Sequence, residues 1–99
     1  MRIVAVTACA TGIAHTYMAA EQLAKAAKVL GHHIKVETQG AMGIENELSA
    51  SDIGQAQVAI LATDIQIERR ERFDAVKVVQ VSVQEAIKNP NGVFAKIQG

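Results

Sequence analysis

Cys9 is the only cysteine of the 99-residue chain, in the run Thr7-Ala8-Cys9-Ala10-Thr11-Gly12-Ile13-Ala14-His15-Thr16. An apolar stretch precedes this run and a stretch rich in helix formers follows it, so the thiol is expected on a strand-to-helix turn. The free N–H groups of a helix start, with the positive end of its dipole, make an anion site there and favour a thiolate over a thiol. Gly12 lets the backbone turn sharply and approach a phosphate, and the hydroxyls of Thr11 and Thr16 can donate to its oxygens. Cys9 is therefore the candidate nucleophile. The candidate phosphate-binding residues are Ala10, Thr11, Gly12, Ile13, Ala14, His15 and Thr16. A cysteine without context is most often a small core residue. A core cysteine lies within a strand or on a packed helix face, not on a turn with Thr and Gly at a sheet edge.

Thiol chemistry on phosphate takes more than one form. A cysteine phosphatase carries Cys-x5-Arg, whose arginine clamps the phosphate and stabilises the transition state. Here the sixth position after Cys9 is His15, so the loop is better suited to holding a phosphoryl group for handover than to hydrolysing esters. Asp64, at the end of a later apolar run, is the conceivable general acid. His15 either hydrogen-bonds the phosphate and tunes the thiol, or caps the helix as a surface residue. The three histidines and one cysteine lack zinc-site spacing, so no metal is expected.

The elements that position this loop alternate. RIVAVT at 2–7 reads as a buried strand, and YMAAEQLAKAAKVLG as an amphipathic helix with Ala20, Leu23, Ala27 and Leu30 on one face, stopped at Gly31. HIKVET at 33–38 is a second strand. QGAMGIENELS reads as a loop with two glycines, and Ser49 or Ser51 caps a short helix through Ala56. VAILAT at 58–63 is a third strand, QIERRERF at 66–73 a polar helical segment, and VKVVQVS at 76–82 a fourth strand. VQEAIKN follows, then Pro90 and a last short helix near VFAKIQ.

This alternation predicts one α/β domain over residues 1–99, a small doubly wound (Rossmann-like) four-stranded parallel sheet with helices on both faces. Ligands of such sheets sit beyond the carboxyl ends of the strands. The candidate loops are therefore residues 8–16, 39–46 and 64–67 and Ser82, with Gln39, Gly40, Gly43 and Asp64 as a possible border of the site. Glycines after a strand are also ordinary turn residues, and that reading stays open. Met18 and Met42 either rim a docking surface or fill packing gaps, the second being favoured. His32 and His33 fall at the amino end of the second strand and read as surface residues.

Composition narrows the partners. Ten basic residues balance ten acidic ones, so no net field draws the chain to nucleic acid or an anionic bilayer. Arg69, Arg70 and Arg72 alternate with Glu68 and Glu71 and read as a solvated helix face. A single cysteine and the absence of a long apolar run indicate a cytoplasmic protein not inserted in the membrane. Only three aromatic residues are present, which leaves few stacking platforms for a base or a flavin ring. No cofactor is expected, and a monomer suits the small, near-neutral chain.

The run TACATGIAHTYMAAE, Thr7 to Glu21, resembles the active-site segment of fructose-specific IIB domains of the sugar phosphotransferase system, usually Cys-Pro-Thr-Gly-Ile-Ala-His-Thr. ETQGAMGIENEL, Glu37 to Leu48, and VAILATD, Val58 to Asp64, resemble that family's next two segments. The resemblance spans nearly the whole chain. Ala10 stands where the family has proline, which loosens the loop and exposes one more N–H.

The resemblance implies a phosphoryl carrier. A histidine-phosphorylated IIA protein docks at the carboxyl edge of the sheet, and Cys9 attacks its phosphoryl group in line. N–H groups from Thr11 to His15 hold the phosphocysteine until fructose or a fructose-like sugar in the membrane IIC component takes the phosphoryl group. The activating base for the sugar comes from IIC, and the Met1 start suits a free-standing subunit. The rivals are a small cysteine-dependent phosphatase, a flavodoxin-like module binding phosphate or FMN, and a regulator whose phosphorylation on Cys9 is read by a partner.

Overall fold

A computed structural model of the chain describes residues 1–10 and 13–98. The chain runs β1 (Arg2–Ala8), α1 (Ile13–Val29), β2 (His33–Gly40), β3 (Gly43–Glu45), α2 (Ala50–Gln55), β4 (Val58–Thr63), a 3-10 turn (Arg70–Phe73), β5 (Val78–Val81), α3 (Val83–Lys88) and α4 (Pro90–Gln98). One sheet has the order β3-β2-β1-β4-β5. The four expected strands β2, β1, β4 and β5 pair in parallel, and β1 lies at their heart. Burial on both faces explains why β1 and β4 are nearly continuous apolar runs.

Side chains of β1 alternate between two cores. Ile3 and Ala5 pack with Leu23 and Ala27 of α1 and Phe94 of α4. Val4, Val6 and Ala8 pack on the other face with Ile53 of α2 and Phe73 of the 3-10 turn. Helices therefore cover both faces, as expected. Ser49 caps α2 through a full capping box, its hydroxyl accepting from Asp52 N–H while the Asp52 carboxylate accepts from Ser49 N–H.

Three local expectations change. The 39–49 stretch is not wholly loop: Gly40 and Gly43 bracket a tight turn, Gly43 at φ +87°, and β3 returns antiparallel to β2 as a fifth strand. Three residues are too few to leave a strand pattern in the sequence. The 66–73 segment is helical only over its last four residues, as a 3-10 turn, because Arg69 is left-handed at φ 59° and Ile67 turns into the core. The buried stripe of α1 is Thr16, Ala19, Leu23, Ala26 and Ala27, whereas Leu30 lies past the helix end and is 44% exposed.

Candidate active site

The chain leaves β1 for α1 on one face and reaches β4 from α2 on the other, so a crevice opens beyond the carboxyl ends of these two strands. Cys9 and Asp64 are the residues that step off them, following the paired Ala8 and Thr63. Asp64 N–H donates to the Ala8 carbonyl at 3.1 Å, which carries the strand ladder one residue further and brings the two side chains together. Cys9 Sγ lies 3.7 Å from Asp64 Oδ2 and 3.9 Å from His15 Nδ1. The second oxygen of Asp64, Oδ1, accepts from Val83 N–H at the start of α3, at 3.2 Å. The carboxylate is thus fixed between a helix start and the thiol.

The beginning of α1 is held to the same strand end. Thr7 Oγ1 donates to the Thr16 carbonyl at 3.0 Å, within the core. Thr16 itself is 1% exposed and sits on the buried stripe rather than on the cleft wall. Ala14 is exposed on the first turn. Thr11, Gly12 and the Ile13 side chain, three of the expected phosphate-binding positions, lie outside the described residues.

A cleft of about 500 Å³ opens beside the thiol. Cys9 and Ala10 form one wall, Gln39, Gly40, Ala41 and Gly43 a second, and Ile65, Gln66 and Glu68 the third. Cys9, Ala10, Gln39, Gly40 and Gly43, separated in sequence, are brought to one cavity. A cleft of about 590 Å³ on the α2 face, lined by Leu48, Ile53 and Val76 among others, contains neither the thiol nor a histidine.

A buried charge pair supports the third wall. Glu37 is fully buried on β2, and Arg72 donates to both its oxygens, Nη1 to Oε1 and Nη2 to Oε2, each at 2.9 Å. Leu48 N–H and Gln39 Nε2 complete the shell, at 2.9 and 2.8 Å. Burial pushes the Glu37 carboxyl up, but these hydrogen bonds and the Arg72 charge outweigh it and hold the group below the usual carboxylate range. Gln39 then clamps the backbone of Glu68 in both directions, Oε1 accepting from its N–H at 2.8 Å and Nε2 donating to its carbonyl at 3.1 Å. The solvated-face expectation fails for Arg72, whose side chain is 17% exposed and faces Glu37. The only trace in the sequence is a glutamate set among the alternating apolar residues of β2.

Other candidates fall elsewhere. His33 is exposed, and His32 stacks on Phe94 with ring centroids 5.8 Å apart, both at the amino end of β2 away from the cleft. Met18 and Met42 are 48% and 71% exposed, so neither fills the core. Tyr17 hydroxyl donates to the Glu45 carboxylate and ties α1 to β3. Among the described residues no cluster of His, Cys, Asp and Glu is arranged to hold a metal ion, and no helix is long and apolar enough to cross a membrane.

The sequence model of the family described as "PTS system, Lactose/Cellobiose specific IIB subunit" matches residues 4–96. The chain belongs to this PTS IIB family. Within it, the chain is 50% identical over 97 residues to the PTS system fructose-like EIIB component 2 of Escherichia coli K12, covering 98% of this chain and 92% of that protein. It is 48% identical to part of the fructose-like PTS system EIIBC component of the same strain, covering 98% of this chain and 20% of that protein. The solution structure of the Enzyme IIB subunit of the PTS system from Escherichia coli K12 superposes with TM-score 0.92 at 42% identity, covering 98% of this chain and 90% of that one. The likeness to fructose-type IIB domains, drawn from three short segments, therefore extends over the chain. The crevice at Cys9 is the carboxyl-edge cleft of a PTS IIB domain.

Proposed function

We propose that this IIB domain is a phosphoryl carrier in which Cys9 becomes phosphocysteine. A histidine-phosphorylated IIA protein gives its phosphoryl group to Cys9, and fructose or a fructose-like sugar bound by membrane IIC takes it. The overall activity is that of a protein-N(π)-phosphohistidine–fructose phosphotransferase component, working in the cytoplasm as a monomer and a single domain.

The observation that carries this reading is the position of Cys9 Sγ. It borders an open cleft at the carboxyl edge of β1, beside the first turn of a 17-residue helix and facing His15 Nδ1. A helix start supplies N–H donors and a positive dipole end to an incoming phosphoryl group. The N–H groups from Thr11 to His15 hold the phosphoryl group, and His15 is near enough to donate to one of its oxygens. Gln39, Gly40 and Gly43 border the space in which the donor imidazole or the acceptor hydroxyl enters. The reaction then rests on positioning and charge stabilisation rather than on further covalent chemistry.

The acceptor step is tested with membranes that carry a fructose-type IIC protein, supplied with phosphoenolpyruvate, the general phosphotransferase proteins and IIA. Sugar phosphate should form when the wild-type chain is added and not when Cys9→Ser replaces it. Equal formation with both chains would overturn the carrier role.

A further inference from the structure

We propose that Asp64 sets how readily Cys9 gives up its phosphoryl group, by repelling the phosphoryl dianion. This rests on the carrier role proposed above. Asp64 Oδ2 is 3.7 Å from Cys9 Sγ, and its partner oxygen is held by Val83 N–H, so the carboxylate cannot turn away without losing that bond. In the resting chain the thiol donates toward Oδ2, which stabilises the unphosphorylated state. Once sulfur carries a phosphoryl group, the same carboxylate faces two negative charges at short range.

The rest of the cleft does little to offset this repulsion. Among the described residues no lysine or arginine lines it, and the charged residue on its walls is Glu68. Of the arginines that follow that wall, Arg69 pairs with Glu47 and Arg72 with Glu37. The anion is therefore held by N–H groups and His15 on one side and pressed by a carboxylate on the other. Such a site binds a phosphoryl group without trapping it.

The step balances as follows. The N–P bond of the donor phosphohistidine breaks, its electron pair stays on the imidazole, and the thiol proton ends on that imidazole as the S–P bond forms. In the onward step the S–P bond breaks with its pair on sulfur, phosphorus bonds to the acceptor hydroxyl oxygen, and the hydroxyl proton is released. The thiolate takes up a proton again, and Oδ2 of Asp64 is in place to accept from it. Charge near Asp64 falls as the phosphoryl group departs, so repulsion is relieved along the outward path.

The variant Asp64→Asn keeps an oxygen for Val83 N–H and removes the charge. With phosphoenolpyruvate and pyruvate at a fixed ratio, the general phosphotransferase proteins and IIA as donor, the ratio of phosphorylated to free chain at equilibrium should rise about thirtyfold over wild type, the effect of one exposed unit charge on a dianion near 4 Å in water. The half-life of the isolated phosphocysteine should lengthen by a similar factor. Glu68→Gln, which removes a cleft charge not in contact with Sγ, should change both by less than about twofold. An unchanged ratio and half-life in Asp64→Asn, or equal effects from both variants, would overturn the role of Asp64 while leaving Cys9 phosphorylation intact. Failure of the wild-type chain to take a phosphoryl group would overturn both proposals.

Discussion

Arg72 and Glu37, 35 residues apart in the chain, meet as a two-pronged ion pair inside the protein, with both N–O distances 2.9 Å and no exposure of the Glu37 side chain. The pair joins β2 to the 3-10 turn and, through Gln39, to the wall of the cleft that Cys9 faces. Removing one partner leaves the other charge buried and unmatched, which costs far more than the pair contributes. Glu37→Gln and Arg72→Met should each lower unfolding stability by about 3 kcal/mol. The double variant should be less destabilised than the sum of the two, a coupling that urea melts of the four proteins would read. Additive losses would mean that Glu37 and Arg72 contribute independently of each other.

Gln39 transmits that support to the site. Its amide holds Glu68 by both backbone groups, and Ile65, Gln66 and Glu68 form the cleft wall. Gln39→Leu removes these bonds and leaves backbone groups of Glu68 unmatched, a loss of about 2 kcal/mol. The rate of phosphoryl uptake at saturating IIA should also fall several-fold, measured well below the melting temperature. A full uptake rate in a destabilised variant would limit Gln39 to folding.

Thr7 ties the end of β1 to the first turn of α1 by its hydroxyl on the Thr16 carbonyl. Thr7→Val keeps the shape and deletes the hydroxyl donor, so the Thr16 carbonyl keeps its helical partner alone and the end of β1 loses its tie to α1. The expected cost is about 1 kcal/mol, read by thermal or urea unfolding. No change would show that the hydroxyl bond adds nothing to the helical one.

Acid should weaken the fold through Asp52. Bonds from Lys35 and from the backbone and hydroxyl of Ser49 hold its carboxyl down from 3.8 to about 2. A group depressed on folding lends stability that is present above its unfolded value and lost as pH falls through the folded one. The midpoint of urea unfolding should therefore drop between about pH 4 and pH 2. Asp52→Asn should flatten that dependence. An equal slope in the variant would contradict the capping-box account.

The parallel sheet was legible because buried strands write themselves as apolar runs, as in residues 2–7 and 58–63, with short connections between. Cys9 was legible for a different reason: a thiol on a turn with Thr and Gly does not match a core position, and a strand-to-helix turn places it at the ligand-binding edge. Asp64 followed from the same rule about carboxyl ends, though its contact with sulfur depends on the register of β1 with β4. The short strand β3 left no periodic signal. The segment before Phe73 has helical composition, but the left-handed turn at Arg69 and the pull of Glu37 on Arg72 decide its shape. Pairings of that kind are tertiary, and local sequence does not encode them. Met18 and Met42 show the limit of composition from the other side, since apolar type alone predicts burial where the structure leaves them exposed.

The central claim is that Cys9 carries the phosphoryl group, and intact mass spectrometry tests it most directly. The chain is incubated with phosphoenolpyruvate, the general phosphotransferase proteins and a fructose-type IIA, with Cys9→Ser in parallel. A gain of one phosphoryl group on the wild type, absent from Cys9→Ser, is the predicted result. No gain with several fructose-type IIA partners, or an equal gain on Cys9→Ser, would contradict it.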